Sequence, residues 1–167
     1  ISEDGTLKSW SAPPVATRAL AAPHGDTVTA IALSADNNSI VSASADKSVR
    51  VSNFANGQQV RPLSGPTAAV VSTAISPNGA LIAAGTANQR LYVWNAPDGK
   101  LLSEQVAHGG AVTSVAFNTN SNQLLTGGAD GLVKWWSLPP VPPRTLTHPD
   151  AVNMAVLTAD GKRAFTA

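Results

Sequence analysis

The sequence predicts an all-β fold in which antiparallel sheets of four short strands repeat along the chain. Three observations carry this expectation. Turn residues recur at Asp4, Asp46, Asn88 and Asp130, 42 residues apart each time. The strand-end positions Trp10, Ser52, Trp94 and Trp136 keep the same spacing. A third marker, formed by His24, Pro66, His108 and His148, stands four residues before Val28, Val70, Val112 and Val152. A fixed period of this length is the signature of a repeat architecture, and no segment shows a helical period.

Taken in order, each element follows from alternation and turn chemistry. Residues 1–10 supply a turn and a strand, 11–14 a Pro-containing loop, and 15–20 a short strand. Residues 27–34 alternate enough for a strand, with Val28, Ile31 and Leu33 apolar. Asp36, Asn37 and Asn38 then turn the chain, because their side chains bond to the local backbone and tolerate left-handed φ. Strands are expected at 39–44 and 49–52, and at 58–63 after the Asn56-Gly57 hairpin signal. The second copy gives 69–76, 81–85, 90–94 and 101–106, punctuated by Pro77-Asn78-Gly79 and Pro97-Asp98-Gly99. The third gives 112–117, 123–126, 132–136 and 144–147. The run 138–143 holds four prolines and cannot be an inner strand, since proline has no donor for the ladder. It reads as a stiff exposed loop or as a polyproline-type ligand for a partner's groove. A fourth copy starts at 151–158, turns at Asp160-Gly161 and continues over 163–167.

Composition narrows the function classes. With 167 residues, 43% hydrophobic and 13% charged, the chain can build a core and is not disordered by composition. Eleven basic residues against ten acidic ones leave a net charge of +1, which argues against nucleic acid or a membrane surface as a partner held by bulk charge. There is no cysteine, hence no disulfide and no thiolate metal site. No apolar run approaches the ~20 residues that span a bilayer, and no signal-peptide pattern is visible. The expected setting is soluble and cytoplasmic. The first residue is Ile1, so the chain is expected to be a processed or excised piece.

Four-stranded sheets of this length repeat radially in β-propellers. The expected organisation is a single propeller segment over 1–167. It comprises strands c and d of a split blade at 1–23, complete blades at 24–65, 66–107 and 108–147, and strands a and b of a split blade at 148–167. Strand a, holding Val28, Ile31 and Leu33 in the first blade and Val112, Val115 and Phe117 in the third, is expected to pack between neighbouring blades.

His in one turn, Asp in the next and Trp at the following strand end, four times in register, resemble the WD40 repeat over the whole chain. The resemblance implies a hydrogen-bonded structural tetrad of His, a strand-b Ser or Thr, Asp and Trp. Its members here would be His24 and Asp46 with Ser42 or Ser44; Trp94; His108, Asp130 and Trp136 with Thr126; and His148 with Asp4 and Trp10. Ser52 replaces Trp in the first blade, while Pro66 and Asn88 replace His and Asp in the second, so these two are expected to hold fewer polar links. The Asp that follows Trp in the family is replaced by Ser11, Asn53, Asn95 and Ser137.

Four repeats are fewer than the seven or eight that the resemblance implies for a closed ring. Ile1 and Ala167 lie at the same phase, each three residues before an observed or expected turn Asp. The expectation is a homodimer by strand complementation, the segment from Ile1 to Leu20 pairing with that from Ala151 to Ala167 of a second copy, to give eight blades. The alternatives are a piece of a longer propeller, excised or engineered, whose activity is ring completion, and a four-bladed closed monomer.

No enzymatic chemistry emerges. His, Ser and Asp recur blade after blade, whereas a hydrolase needs one triad, and no Gly-x-Ser-x-Gly elbow is present. The three histidines fall on different blades, which argues against a shared metal site. The Gly-Gly pairs at 109–110 and 127–128 lack a following Lys-Ser/Thr and a helix, so no phosphate loop is read. No catalytic residue, cofactor or metal is expected. Trp135 adjoins Trp136 and so faces the other side of its strand, either packing between blades or anchoring an interface. The residues before the turn, Glu3, Ala45, Ala87 and Ala129, form a rim with little to grip. The resemblance implies a non-catalytic scaffold for contacts with other proteins.

Overall fold

The computed structural model describes residues 8–10, 17–138, 141–147, 151–158 and 164–166. The positions of Asp4, His148 and Asp160 lie outside these, as do the side chains of Trp10 and of residues 141–147. Three four-stranded antiparallel sheets follow one another. The first is β3 (Val28–Leu33), β4 (Ser39–Ser44), β5 (Val49–Asn53) and β6 (Gln59–Leu63). The second is β7 (Val70–Ile75), β8 (Leu81–Thr86), β9 (Arg90–Asn95) and β10 (Leu101–Val106). The third is β11 (Val112–Phe117), β12 (Gln123–Gly128), β13 (Leu132–Ser137) and β14 (Val141–Thr147). Two-stranded sheets flank them: β1 (Lys8–Trp10) with β2 (Thr17–Ala19), and β15 (Ala155–Leu157) with β16 (Ala164–Thr166). In every sheet the strands pair in sequence order, as hairpin connections dictate. Among the described residues no helix is long and apolar enough to cross a membrane.

The turn between the second and third strands of each complete sheet has one construction. Lys47, Gln89 and Gly131 adopt φ of 70°, 74° and 75°, and their amides donate to Ser44, Thr86 and Gly128 carbonyls. This is a type I turn closed by a left-handed residue, a geometry whose twist suits a three-residue hairpin loop. It holds Asp46, Asn88 and Asp130 at the tip of each hairpin, facing back over the sheet.

Successive sheets meet along their first strands. Val70, Val112 and Val152 are buried, at the positions where the chain enters each new sheet. Opposite Val112 and Val152 the preceding sheet carries Gly85 and Gly127, where any Cβ would fall 2.6 Å from a valine side-chain carbon. Hydroxyls stitch the same seam: Thr29 Oγ1 donates to the Val70 carbonyl at 2.5 Å, Ser72 Oγ to that of Val112 at 2.7 Å, and Thr113 Oγ1 to that of Val152. The core therefore lies between sheets. One cluster joins Val41, Ala43, Val49 and Val51 to Val70, Ile82, Tyr92 and Trp94; a second joins Ala83, Leu91 and Val93 to Val115, Leu124 and Trp136.

Two expectations need correction. The last strand of the third sheet begins at Val141 and runs through Pro142 and Pro143, where 144–147 was the expected extent. It is the outermost strand, paired on one side only, and its register slips opposite Trp135 and Ser137, so the prolines break no inner ladder. The second correction concerns the first strand of the first sheet. Val28 is buried, but Ile31 and Leu33 are 50% and 46% exposed, whereas Thr73 and Val115, 42 and 84 residues after Ile31, are 9% and 8% exposed. Ala30 and Ala32 pack on the cluster shared with the second sheet, and Ile31, between them on the strand, occupies the opposite face.

Candidate functional site

The polar side chains gather at the hairpin tips, and the third sheet shows the fullest arrangement. Trp136 Nε1 donates to Thr126 Oγ1 at 2.9 Å, and Thr126 Oγ1 lies 2.8 Å from His108 Nε2. His108 Nδ1 lies 3.0 Å from Asp130 Oδ1, and Asp130 also accepts from the Gly109 and Leu132 amides at 2.7 and 3.1 Å. The directions are mutually consistent with a neutral imidazole. Nδ1–H donates to the carboxylate, and Nε2 accepts from a hydroxyl whose oxygen accepts from the indole. His108 and Thr126 are buried, so each bond replaces lost water.

The first sheet builds a variant. His24 Nε2 meets Ser42 Oγ at 2.8 Å, which settles Ser42 over Ser44 as the hydroxyl against the imidazole; Ser44 Oγ donates to the Asp26 carbonyl instead. His24 Nδ1 lies 3.3 Å from Asp46 Oδ2 and 2.8 Å from Ser48 Oγ. Asp46 accepts from Ser48 Oγ at 2.5 Å and from the Gly25 amide at 2.7 Å, and pairs with Arg50 at 3.7 Å. The expectation of fewer polar links in this sheet is thus corrected: Ser48 and Arg50 add links that the missing Trp does not supply. The signal for Ser48 was local, since an Asp followed two residues later by Ser forms a side-chain-to-backbone turn.

The second sheet has no imidazole to centre such a set. Thr86 Oγ1 turns to Asn88 Oδ1 at 2.6 Å, and Asn88 Nδ2 reaches Thr67 Oγ1 at 3.3 Å. Ala84 stands where Ser42 and Thr126 carry hydroxyls, so the Trp94 indole donates to the Ser64 carbonyl, 2.8 Å away.

A family model described as WD domain, G-beta repeat, matches residues 17–52, 57–95 and 99–137, more than half of the chain. The chain belongs to the WD40 repeat family. Each matched WD40 stretch opens in or just before an outer strand (β2, β6 or β10) and ends at the third strand of the next sheet. One sequence repeat therefore straddles two sheets and stitches them. A comparison with curated proteins gives no match. WD40 repeats are propeller-type modules of protein–protein interaction and are generally non-catalytic. Among the described residues no group of three or more His, Asp or Glu side chains could hold a metal ion.

Burial pushes both His24 and His108 below the ordinary imidazole value of 6.5; Arg50 and Lys134 push the same way, and the carboxylates of Asp46 and Asp130 oppose without prevailing. For Asp46 and Asp130 burial works against ionisation, but hydrogen bonds outweigh it and hold both carboxyls below their ordinary value of 3.8. A His whose folded pKa is lowered stabilises the fold fully above the unfolded value, and that stability is lost as pH falls below it toward the folded pKa. A lowered Asp contributes above its unfolded value and loses its contribution as pH falls through the folded one. Acid unfolding is therefore expected in two stages, the first beginning near 6.5 and the second below 3.8. Urea midpoints measured across that range check this. A His24→Asn/His108→Asn double variant should lose the first stage and keep the second.

Trp135 packs with Leu125, Val133, Val152 and Ala155, at the seam between the third sheet and β15, and its indole nitrogen is buried without a hydrogen-bond partner among the described residues. The rim residues Ala87 and Ala129 are exposed and Ala45 is half-buried.

Proposed function

We propose that this chain is a protein-interaction scaffold whose two incomplete sheets are completed by a second copy of itself. The β1–β2 pair corresponds to the third and fourth strands of a WD40 blade, because Trp10 keeps the spacing of Trp94 and Trp136. The β15–β16 pair corresponds to the first two strands, because Val152 and Ala155 meet Thr113 and Ser114 much as Val112 meets Ser72. Joined across a two-fold axis, the two pairs make one four-stranded blade at each junction and a ring of eight.

The observation that carries this reading is the distribution of exposed apolar side chains. Ile31 and Leu33 are uncovered at one end, and Met154, Val156 and Phe165 are 58%, 48% and 63% exposed at the other. Of the equivalent positions between complete sheets, Thr73, Ser114, Val115 and Leu125 are buried and Ile75, Ala116 and Phe117 are half-buried. Burying such faces yields about 25 cal/mol per Å² of apolar surface, so a surface left open on both ends favours association.

Light scattering tests the proposal. A particle of twice 17.0 kDa at micromolar concentration is the expected result, and Ile31→Asp or Phe165→Asp should shift it to single chains. A wild-type monomer across that range overturns it.

A further inference from the structure

Each pair of neighbouring complete sheets leaves a cleft at its outer edge, and the two clefts are filled differently. Between the first and second sheets the cleft is lined by Ser39, Val51, Val60, Ile82 and Ala96, and Arg61 runs into it. The stem of Arg61 lies along Gly99, its Cδ 3.1 Å from where a Cβ would be, and its guanidinium donates to the Ala96 carbonyl at 3.1 Å and to that of Pro97. About 200 Å³ remains open.

Between the second and third sheets the same places, 42 residues on, are held by Leu81, Val93, Leu102, Leu124 and Leu138, with Trp136 beside them. The residue in the place of Arg61 is Ser103, which pairs with Val93 as Arg61 pairs with Val51. Its side chain stops at the hydroxyl, and the cleft is about 480 Å³, within the usual range for ligand sites. One backbone link at the place that receives Arg61 is nevertheless reproduced. Leu138 N donates to the Asn122 carbonyl at 2.9 Å as Ala96 N donates to that of Ala80, so Leu138 holds the place of Ala96, whose carbonyl accepts the guanidinium; the place of Pro97 falls on Pro139, outside the described residues.

We propose that the cleft between the second and third sheets binds an arginine side chain presented by a partner polypeptide. Its aliphatic stem lies on Leu102, Leu124 and Trp136, and its guanidinium donates to the Leu138 carbonyl, as Arg61 does within the molecule one cleft earlier. An alkyl stem buries well on apolar walls while its charged head stays at the rim. A planar multi-donor head suits backbone carbonyls better than a point charge. This rests on the interaction-module reading only for the source of the arginine; the cleft itself is tested with the free amide.

Acetyl-arginine amide titrated into the isotope-labelled chain should give saturable amide shifts at Ser103, Leu124 and Leu138. Ser103→Arg should weaken that response by at least about tenfold and raise the thermal midpoint, because the introduced side chain takes the site. Arg61→Ser should open a second set of shifts near Ala96. Absence of saturable shifts, an undiminished response in the folded Ser103→Arg variant, or tighter binding of acetyl-leucine amide than of the arginine amide overturns the proposal. A monomeric result in the mass measurement leaves it standing, so the two readings fail separately.

Discussion

Trp94→Ala is expected to be the most damaging single truncation in the described chain, costing about 3–5 kcal/mol. Trp94 is fully buried in the cluster that joins the first two sheets. Its ring stacks on Tyr92 with centroids 5.7 Å apart and planes 15° from parallel, and its indole N–H ties the Ser64 carbonyl in the link from β6 to β7. One side chain thus fills the inter-sheet space, orders an aromatic neighbour and fixes the connecting segment. In a stack where each unit touches only its neighbours, stability is a sum of unit and interface contributions, so weakening one interface also lowers cooperativity. Urea unfolding of the variant should show separate transitions by circular dichroism and by Trp fluorescence, where the parent shows coincident ones. Trp94→Phe keeps a stacked ring and leaves the Ser64 carbonyl without its donor, an expected cost of about 1–3 kcal/mol. A loss below about 1 kcal/mol in the alanine variant would mean that the cavity collapses and that strand pairing alone carries the seam.

The register of the fold was legible because it is encoded four times. The spacing of 42 between Asp4, Asp46, Asn88 and Asp130 needs no structural knowledge, and the hairpins at the last three fall where that spacing puts them. Among the residues that the sequence singles out, His108 and Asp130 meet side chain to side chain. Links to the backbone were not legible: Trp94 bonds a carbonyl of Ser64, and any residue would offer the same carbonyl. The exposure of Ile31 and Leu33 was misread for another reason. Alternation reports which side chains share a face, but whether the face is covered depends on strands remote in sequence. Trp135 shows the same limit, since its adjacency to Trp136 fixes the face it occupies and leaves the neighbour, Val152, unspecified. The open cleft beside Ser103 became visible only by comparison with Arg61, because a missing side chain has no signature of its own.

The same internal comparison sharpens a prediction about the seams. At the second seam a Cβ on Gly85 would lie 2.5 Å from Ser72 Oγ and 2.5 Å from the Val112 carbonyl oxygen, and the second of these is backbone and cannot swing aside. Gly85→Ala is therefore expected to destabilise by about 1–3 kcal/mol through overpacking. The first seam nonetheless holds a methyl in that place, at Ala43, fully buried. It differs in two partners. Ala30, paired with Ala43, stands where Ser72 pairs with Gly85, and Thr29, in the place of Val71, is the donor to the next sheet's carbonyl that Ser72 is at the second seam. The hydroxyl has moved one residue along the strand and vacated the space that the methyl takes. Adding Ser72→Ala to Gly85→Ala should thus recover part of the loss, and adding Val71→Thr should recover more by restoring a donor to Val112. Measured by urea denaturation, the triple variant should be more stable than Gly85→Ala alone, with a coupling energy of about 0.5–3 kcal/mol between neighbours that share a contact. Strictly additive effects would show that the Ser–Gly and Ala–Ala pairings are independent choices and that glycine at the seam answers to the backbone carbonyl alone.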